Sequence, residues 1–301
     1  PTGSADSARV RAYLDREMRA LGMEPAVITH TSFPGESLLG FLPGSSPGKA
    51  VVLMAHYDSR PIAPGAGDDA AGVAAVLEAV RALRAGPALK NNLIVLFTDG
   101  EEKGLLGARA FAEHYERREA VGVALNFEGR GSRGPSFMFE TSDRNGWLIR
   151  EFARAAPYPI ATSLTGAVYR EMPNSTDFTI FKGMNLKGLN FAFVDGYETY
   201  HQPTDTPENL DPRSVQHHGS YALALARRFG QLDLRKADSE PDAIYFHVFG
   251  PHLVVYPGWL VPPLLIAAGL GYGALLIAGR RRGRLSRDGL IAGAVRAGLA
   301  I

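Results

Sequence analysis

Glu101 and Glu102 are adjacent carboxylates that follow the apolar run Leu93–Phe97 in "NNLIVLFTDGEEKGLLGARAF". Two acids at the mouth of a buried strand repel each other and lose hydration. Most such pairs are simply solvated, but this one sits between a buried strand and Gly104 and Gly107. A divalent cation would relieve the repulsion by binding one carboxylate, leaving the other to act on water. Other segments carry matching donors. "HYDS" ends a second apolar run with His56 and, two residues on, Asp58. Imidazole suits zinc, and a metal-bound histidine usually donates its other ring N–H to a carboxylate, the role open to Asp58. "GAGDDAAG" opens a helix with Asp68 and Asp69; helix capping accounts for one aspartate better than for two. A carboxylate can bridge two metals, and Asp68 is the candidate. "LNFEGRGSRG" places Glu128 after a third apolar run, and "YETYHQPTDT" places His201 in a proline-containing loop after a fourth. His56, Asp68, Glu102, Glu128 and His201, with Glu101 left over, are about the N and O inventory that two zinc ions sharing a carboxylate require.

The elements between these segments determine whether they can meet. Continuous apolar strands are expected over "KAVVLMAHYDS", residues 93–98, "VGVALNFEG", "PSFMFET" and "LKGLNFAFVDG". Helices are expected over "SADSARVRAYLDREMRALG", over "DDAAGVAAVLEAVRALRAG" with its acids in the first turn, and near 104–118 and 145–155. A further helix is expected over "DPRSVQHHGSYALALARRFGQL", with proline at its first position. Runs that are apolar on both faces and alternate with helices indicate an α/β fold, three-layer α/β/α, with a mostly parallel central sheet. In such sheets ligands bind outside the carboxyl ends of the strands, and His56, Glu101, Glu102 and Glu128 all fall there.

Beyond Pro241 the composition changes. Val254 to Gly279 carries no charged residue and exceeds the roughly 20 residues a helix needs to cross a bilayer. Arg280, Arg281, Arg282, Arg284 and Arg287 follow, so a C-terminal transmembrane helix is expected, with Tyr256 and Trp259 at its interface. The arginines predict a cytoplasmic C-terminal side, a membrane location and a folded part that is extracytoplasmic or lumenal. Expected boundaries are the α/β domain that carries the zinc ligands over 1–235, a linker over 236–252, the span over 253–279, and a basic cytoplasmic segment over 280–301 in which an apolar run after Asp288 begins a possible second span. The chain starts at Pro1 and stops in mid-pattern, as a piece of a longer protein would. Its net charge is +1, yet six arginines and one aspartate lie from Arg280 onward, leaving 26 basic against 30 acidic groups before them. A nucleic-acid surface is not expected on a folded part of net charge −4. Cysteine is absent, which excludes disulfides and thiolate ligands.

Taken together, "HYDS…GAGDDAAG…TDGEEKGLLGARAF…NFEGRG…YHQPTDT" resembles the dinuclear-zinc aminopeptidase family of metallopeptidases, of the bacterial leucyl aminopeptidase type, over about residues 1–230. The pattern is most similar to its membrane-anchored endoplasmic reticulum metallopeptidase (Felix-ina) branch. The resemblance implies two zinc ions, one held by His56 and Glu128 and the other by Glu102 and His201, with Asp68 bridging. It makes Glu101 the general base, Asp58 the partner of His56, and Tyr200 a group that polarises the scissile carbonyl. Where the family often has aspartate, Glu128 lengthens the ligand arm by one methylene. The implied activity is hydrolysis of N-terminal peptide bonds in peptide or protein substrates by a metal-activated water. A glutaminyl-peptide cyclase-like enzyme with one zinc, and a catalytically silent ectodomain, are the alternatives. His217 and His218 read as surface or packing residues, Asp177 as a helix-cap residue or a substrate contact, and Asp205 as an orienter of His201 or part of a turn.

Overall fold

A computed structural model describes residues 1–29, 35–46, 48–115, 118–286, 288–289, 292–293 and 296. The elements in chain order are α1 (Ala5–Ala20), β1 (Ala26–Thr29), β2 (Glu36–Leu42), β3 (Ala50–His56), α2 (Ala71–Arg84), β4 (Asn92–Thr98), α3 (Leu106–His114) and β5 (Val121–Gly129). They continue with β6 (Phe137–Thr141), α4 (Gly146–Ala155), β7 (Ile160–Ala161), α5 (Ser163–Glu171), α6 (Asp177–Gly183), β8 (Gly188–Phe193), α7 (Pro212–Phe229), β9 (Ala243–His247), β10 (Leu253–Pro257) and α8 (Val261–Arg281).

Eight strands form one sheet in the order β1-β2-β4-β3-β5-β8-β6-β7. The four central strands, β4-β3-β5-β8, are mutually parallel, as expected of runs apolar on both faces. The antiparallel pairs lie towards the edges, at β1–β2, β2–β4 and β6–β8. Side chains alternate across the sheet. Val51, Leu53 and Ala55 pack with Leu14, Val76, Phe152 and Tyr221, so α1, α2, α4 and α7 cover one face. Ala50, Val52 and Met54 pack with Phe111 and Phe181, so α3 and α6 cover the other. Phe111 stacks on Phe181 with ring centroids 5.0 Å apart, a pair of a kind that adds about 0.5–1.5 kcal/mol to simple burial. The three-layer architecture with a mostly parallel centre is therefore present.

Three boundaries differ from the sequence reading. The helix expected to open with Asp68 and Asp69 begins at Ala71; both aspartates precede it, in a tight turn with non-helical backbone angles. The compact unit runs from Pro1 to Tyr256. Part of the expected linker is therefore structured: Leu234–Asp238 forms a 3-10 turn and Ala243–His247 forms β9, with Tyr245 only 2 % exposed. Residues 253–257, expected at the start of the membrane helix, form β10 and pair with β9. The valines, tyrosine and proline there suit a strand better than a helix interior.

The second unit, Pro257–Ile301, contains α8. With the turn before it, Gly258–Arg281 is a 24-residue helical stretch whose most apolar 18-residue window has a mean hydropathy of 2.0 and no buried residue, long and apolar enough to cross a membrane. Pro262 and Pro263 sit in the first turn, where proline costs no helical hydrogen bond, and Arg280 and Arg281 close the last turn. Arg287 and most of the possible second span after Asp288 lie outside the described residues.

Candidate active site

His56 is the last residue of β3 and is 1 % exposed. Its Nδ1 lies 3.0 Å from the main-chain carbonyl oxygen of Asp58, which can only accept, so Nδ1 carries a proton and Nε2 is the nitrogen turned towards the neighbouring acids. The Asp58 carboxylate is close as well, with Oδ1 at 3.4 Å from Nδ1. Asp58 lies beyond the strand end and has a second task. It accepts the Glu101 N–H at 3.0 Å, the Glu102 N–H at 3.2 Å and the Thr2 hydroxyl at 3.1 Å. One buried carboxylate thus ties the end of β3 to the Glu101–Glu102 turn.

That turn, a 3-10 turn over Glu101–Lys103 directly after β4, is flanked by Gly100 and Gly104 at φ 84° and 104°. Glycine makes these left-handed positions accessible, so the chain turns sharply and sends the two acids in different directions.

The two aspartates after Gly67 divide the labour that capping left ambiguous. Asp69 caps α2 by accepting the Gly72 N–H at 3.0 Å and also accepts the His56 N–H at 3.2 Å. Asp68 faces the histidines: Oδ1 is 3.0 Å from His56 Nε2 and Oδ2 is 3.1 Å from His201 Nε2. His56, Asp69 and Glu128 do lie close enough to share an ion, but both Asp69 oxygens already hold backbone N–H groups. Asp68 is the carboxylate placed between the two imidazoles. Asp205, which could have oriented His201, instead accepts the N–H of Gly67 at 2.6 Å and of Asp68 at 3.2 Å, fastening the Asp68 turn to the His201 loop. A Cβ on Gly129 would lie 1.9 Å from the Gly67 carbonyl oxygen, so these two loops approach too closely for any side chain.

Glu128, near the end of β5, places Oε2 3.5 Å from His56 Nε2. His201, at φ 57°, places Nε2 2.8 Å from Glu102 Oε1. Two triads result, His56–Asp68–Glu128 and Asp68–Glu102–His201, which share Asp68. Tyr200 stacks on His201 with centroids 3.7 Å apart, and the Arg130 guanidinium lies 5.2 Å from the Tyr200 ring. Arg60 Nε is 2.7 Å from Glu102 Oε2. A cleft of about 680 Å³ opens over the group, lined by Asp68, Glu101, Glu102, Glu128 and Tyr200 among others and flanked by Phe137, Phe139, Val168 and Tyr169. A larger groove of about 850 Å³, beside Arg133, Pro157, Asp211 and His217, contains none of these acids.

The electrostatics are those of a crowded anionic pocket. Burial pushes the Glu101 carboxyl up to about 10, against the pull of His56 and with the help of Glu128, Asp177 and Asp68. Burial opposes charge on His201, yet Asp68 and Glu102 raise it to about 9. Burial likewise opposes ionisation of Asp68, but His201 and His56 draw it down to about 2. Asp68 Oδ2, Glu102 Oε1 and His201 Nε2 are buried and lack a well-directed hydrogen-bond partner among the described residues, although the imidazole nitrogen lies 3.1 Å from the first oxygen and 2.8 Å from the second. Buried polar atoms normally find partners. Ligand-type atoms converging without hydrogen-bond geometry fit a shared cation that would displace the imidazole proton, and the set of two imidazoles and three carboxylates suits zinc.

Sequence reasoning missed the supports around Glu128. His218, 0 % exposed, donates from Nε2 to the Glu128 carbonyl oxygen at 3.1 Å and accepts from the Ser136 hydroxyl at 2.6 Å. Burial lowers it to about 3, so it stays neutral. Asp177 is also buried, paired with the Thr98 hydroxyl. Asn126 and Asn190 stand opposite each other on β5 and β8. A lone polar residue inside an apolar strand, in "ALNFEG" and again in "GLNFAF", is the signal that marks them.

The Peptidase family M28 model matches residues 37–226. Endoplasmic reticulum metallopeptidase 1 of Rattus norvegicus is 30 % identical over 215 residues, which are 69 % of this chain and 24 % of that protein. This chain therefore spans about a quarter of the length of that relative. Among solved structures, the LapA aminopeptidase of Legionella pneumophila superposes with a TM-score of 0.61 at 16 % identity, covering 75 % of this chain and 65 % of its own. Fimbriiglobus ruber glutaminyl cyclase superposes with a TM-score of 0.57 at 17 % identity, covering 75 % and 89 %. These two likenesses establish the fold; the family match, with the site placed at the strand ends inside it, establishes that this chain belongs to peptidase family M28.

Proposed function

We propose that this chain is the catalytic part of a membrane-anchored, zinc-dependent metallopeptidase that removes residues from peptide N-termini. The observation that carries the reading is the position of Asp68, 3.0 Å from one imidazole and 3.1 Å from the other through different oxygens. In this reading His56 and Glu128 would hold one ion and Glu102 and His201 a second, with Asp68 placed to serve either. Bound zinc supplies charge for the carboxylates and Lewis acidity towards water and a carbonyl oxygen. Glu101 is the acid left outside the ligand set. It takes the proton of the attacking water and delivers it to the leaving amine. The acids lining the cleft favour a cationic α-amine, which supports action at N-termini, and Tyr200, which also lines the cleft, is the group assigned in this reading to steady the scissile carbonyl. The α8 stretch, with arginines at its end, supports an anchor whose C-terminal side is cytoplasmic and a catalytic unit on the lumenal or extracytoplasmic side.

The test is Glu101→Gln in the full chain in detergent. Zinc content is expected to stay the same while hydrolysis of aminoacyl chromogenic substrates falls by about 10²–10⁴-fold, the worth of a general base. Near-normal turnover with zinc bound would remove Glu101 from that role. The cyclase reading shares this fold. It predicts one ion per chain and activity on N-terminal glutamine, so metal counting separates the two. A silent ectodomain would show no turnover that chelator abolishes.

A further inference from the structure

On the α6 side of the sheet, the apolar layer gives way near the strand ends to a row of buried polar side chains. Asn126 on β5, Asn190 on β8 and Glu140 on β6 lie on adjacent strands, with Asn126 paired to Asn190 and Asn190 to Glu140 in register. All three are 5 % exposed or less. Lys182, on α6, donates to Glu140 Oε1 at 2.8 Å. Asn190 Nδ2 donates to Glu140 Oε2 at 3.0 Å and to Thr176 Oγ1 at 2.9 Å. Asn126 Nδ2 donates to Asn190 Oδ1 at 3.0 Å and to Glu128 Oε1 at 2.8 Å.

The direction of this chain of bonds is set from its far end. An ionised carboxylate can only accept, so Glu140, held by Lys182, forces Asn190 to turn its NH₂ towards it and its oxygen towards Asn126. Asn126 must then turn its NH₂ towards Asn190, and the second N–H of that same NH₂ meets Glu128. Asn126 Oδ1 is left buried without a partner among the described residues, but the reversed amide would set that oxygen against Asn190 Oδ1 and Glu128 Oε1, so one orientation is favoured.

We infer that Asn126 is a positioning residue, which the Lys182–Glu140–Asn190 chain orients so that it occupies Glu128 Oε1 and leaves only Oε2 to the cation shared with His56. Glu128 Oε2, 3.5 Å from His56 Nε2, is the oxygen on the metal side. A glutamate arm has one more rotatable bond than aspartate, and a fixed donor on one oxygen removes the freedom that bond adds. This inference rests on the two-zinc reading above and extends it to residues that touch neither substrate nor metal.

Zinc titration of the chelated full chain in detergent tests it, using Asn126→Asp, which keeps the shape and replaces the donor with an acceptor. The wild type is expected to bind two ions. Asn126→Asp is expected to weaken one of them by about 10–100-fold, as loss of an outer hydrogen-bond partner commonly does, and to leave the other unchanged. In cobalt-substituted protein, the visible d–d bands of one ion should shift. Glu140→Gln, three side chains away and equal in shape, removes the fixed direction without altering packing around Asn126. It should weaken the same ion several-fold, which a purely space-filling Asn126 would not transmit, and it decides the matter if Asn126→Asp does not fold. Unchanged affinities and bands in Glu140→Gln, or in folded Asn126→Asp, overturn the inference while the two-zinc reading stands. A wild type that binds fewer than two ions overturns the two-zinc reading itself.

Discussion

Replacing Asp58 with asparagine tests whether a single buried carboxylate holds the turn that carries Glu101 and Glu102. Asp58 is 2 % exposed and accepts from two backbone N–H groups and a hydroxyl. The Thr2 hydroxyl can rotate and accept from an amide instead, but a backbone N–H cannot. Whichever way the new amide points in Asp58→Asn, one N–H of the turn faces an NH₂ and stays buried without a partner, at a cost of about 1–3 kcal/mol. The bond that survives is no longer charge-assisted and weakens by roughly 1 kcal/mol. The metal-free variant should therefore lose about 2–4 kcal/mol. At roughly 2–4 °C per kcal/mol for a unit of this size, thermal unfolding in chelator should shift down by about 5–15 °C. Because the turn positions Glu102, zinc affinity should also fall, by about 10–100-fold, and calorimetric titration reads that directly. A melting temperature within about 2 °C of wild type together with unchanged zinc affinity would refute the reasoning. The left-handed geometry at Gly100 and Gly104 would then be enough to hold the turn.

Two further outcomes follow from the electrostatics and from the boundary of the compact unit. Glu101 (about 10), His201 (about 9) and Asp177 (about 7) all hold protons in the metal-free fold at pH values where the unfolded chain has lost them. The stability they contribute is present below their unfolded pKa values and is lost as pH rises through the folded ones. Asp58 and Asp68, shifted downwards, act in the opposite sense but only at more acidic pH. The melting temperature in chelator should therefore fall between about pH 5 and 9, and the gain on adding zinc should widen; a chelated protein that grows more stable over that range contradicts the assignment. Ending the chain before Asp242 removes the bond from the Asn145 N–H to Asp242 and the one from the Ala243 N–H to Asn145, and also removes buried Tyr245. Burying one tyrosine accounts for about 4 kcal/mol, so a chain ending at Tyr256 should unfold at clearly higher denaturant than one ending at Pro241, and equal midpoints would show that β9 is dispensable.

The chemistry of this protein is legible in one dimension because most of the candidate residues, though not Asp68, follow an apolar run, and in an open α/β sheet the ends of such runs gather at one edge. His56, Glu101, Glu102 and Glu128 declare themselves in that way, as do the helix with proline at its start and the long uncharged stretch after Pro257. Local signals are weaker elsewhere. The four-residue edge strand β1 is too short to stand apart from loop, and β2 beside it, interrupted by Gly40, carries no clear alternation. β10 merges in sequence with the apolar run beside it.

The order of residues alone supplies an inventory and an address: two imidazoles, the acids around them, and their placement after strands. The division of labour among those groups comes from the fold. Asp69 caps α2 while Asp68 faces both histidines, and Asp205 fastens the Asp68 turn. The amide of Asn126 is turned towards Glu128 by Asn190, 64 residues away in the chain. A carboxylate or an amide does not carry its partner in its own neighbourhood of sequence. Partners are assigned by strand order and register, and these are settled by the packing of the whole sheet.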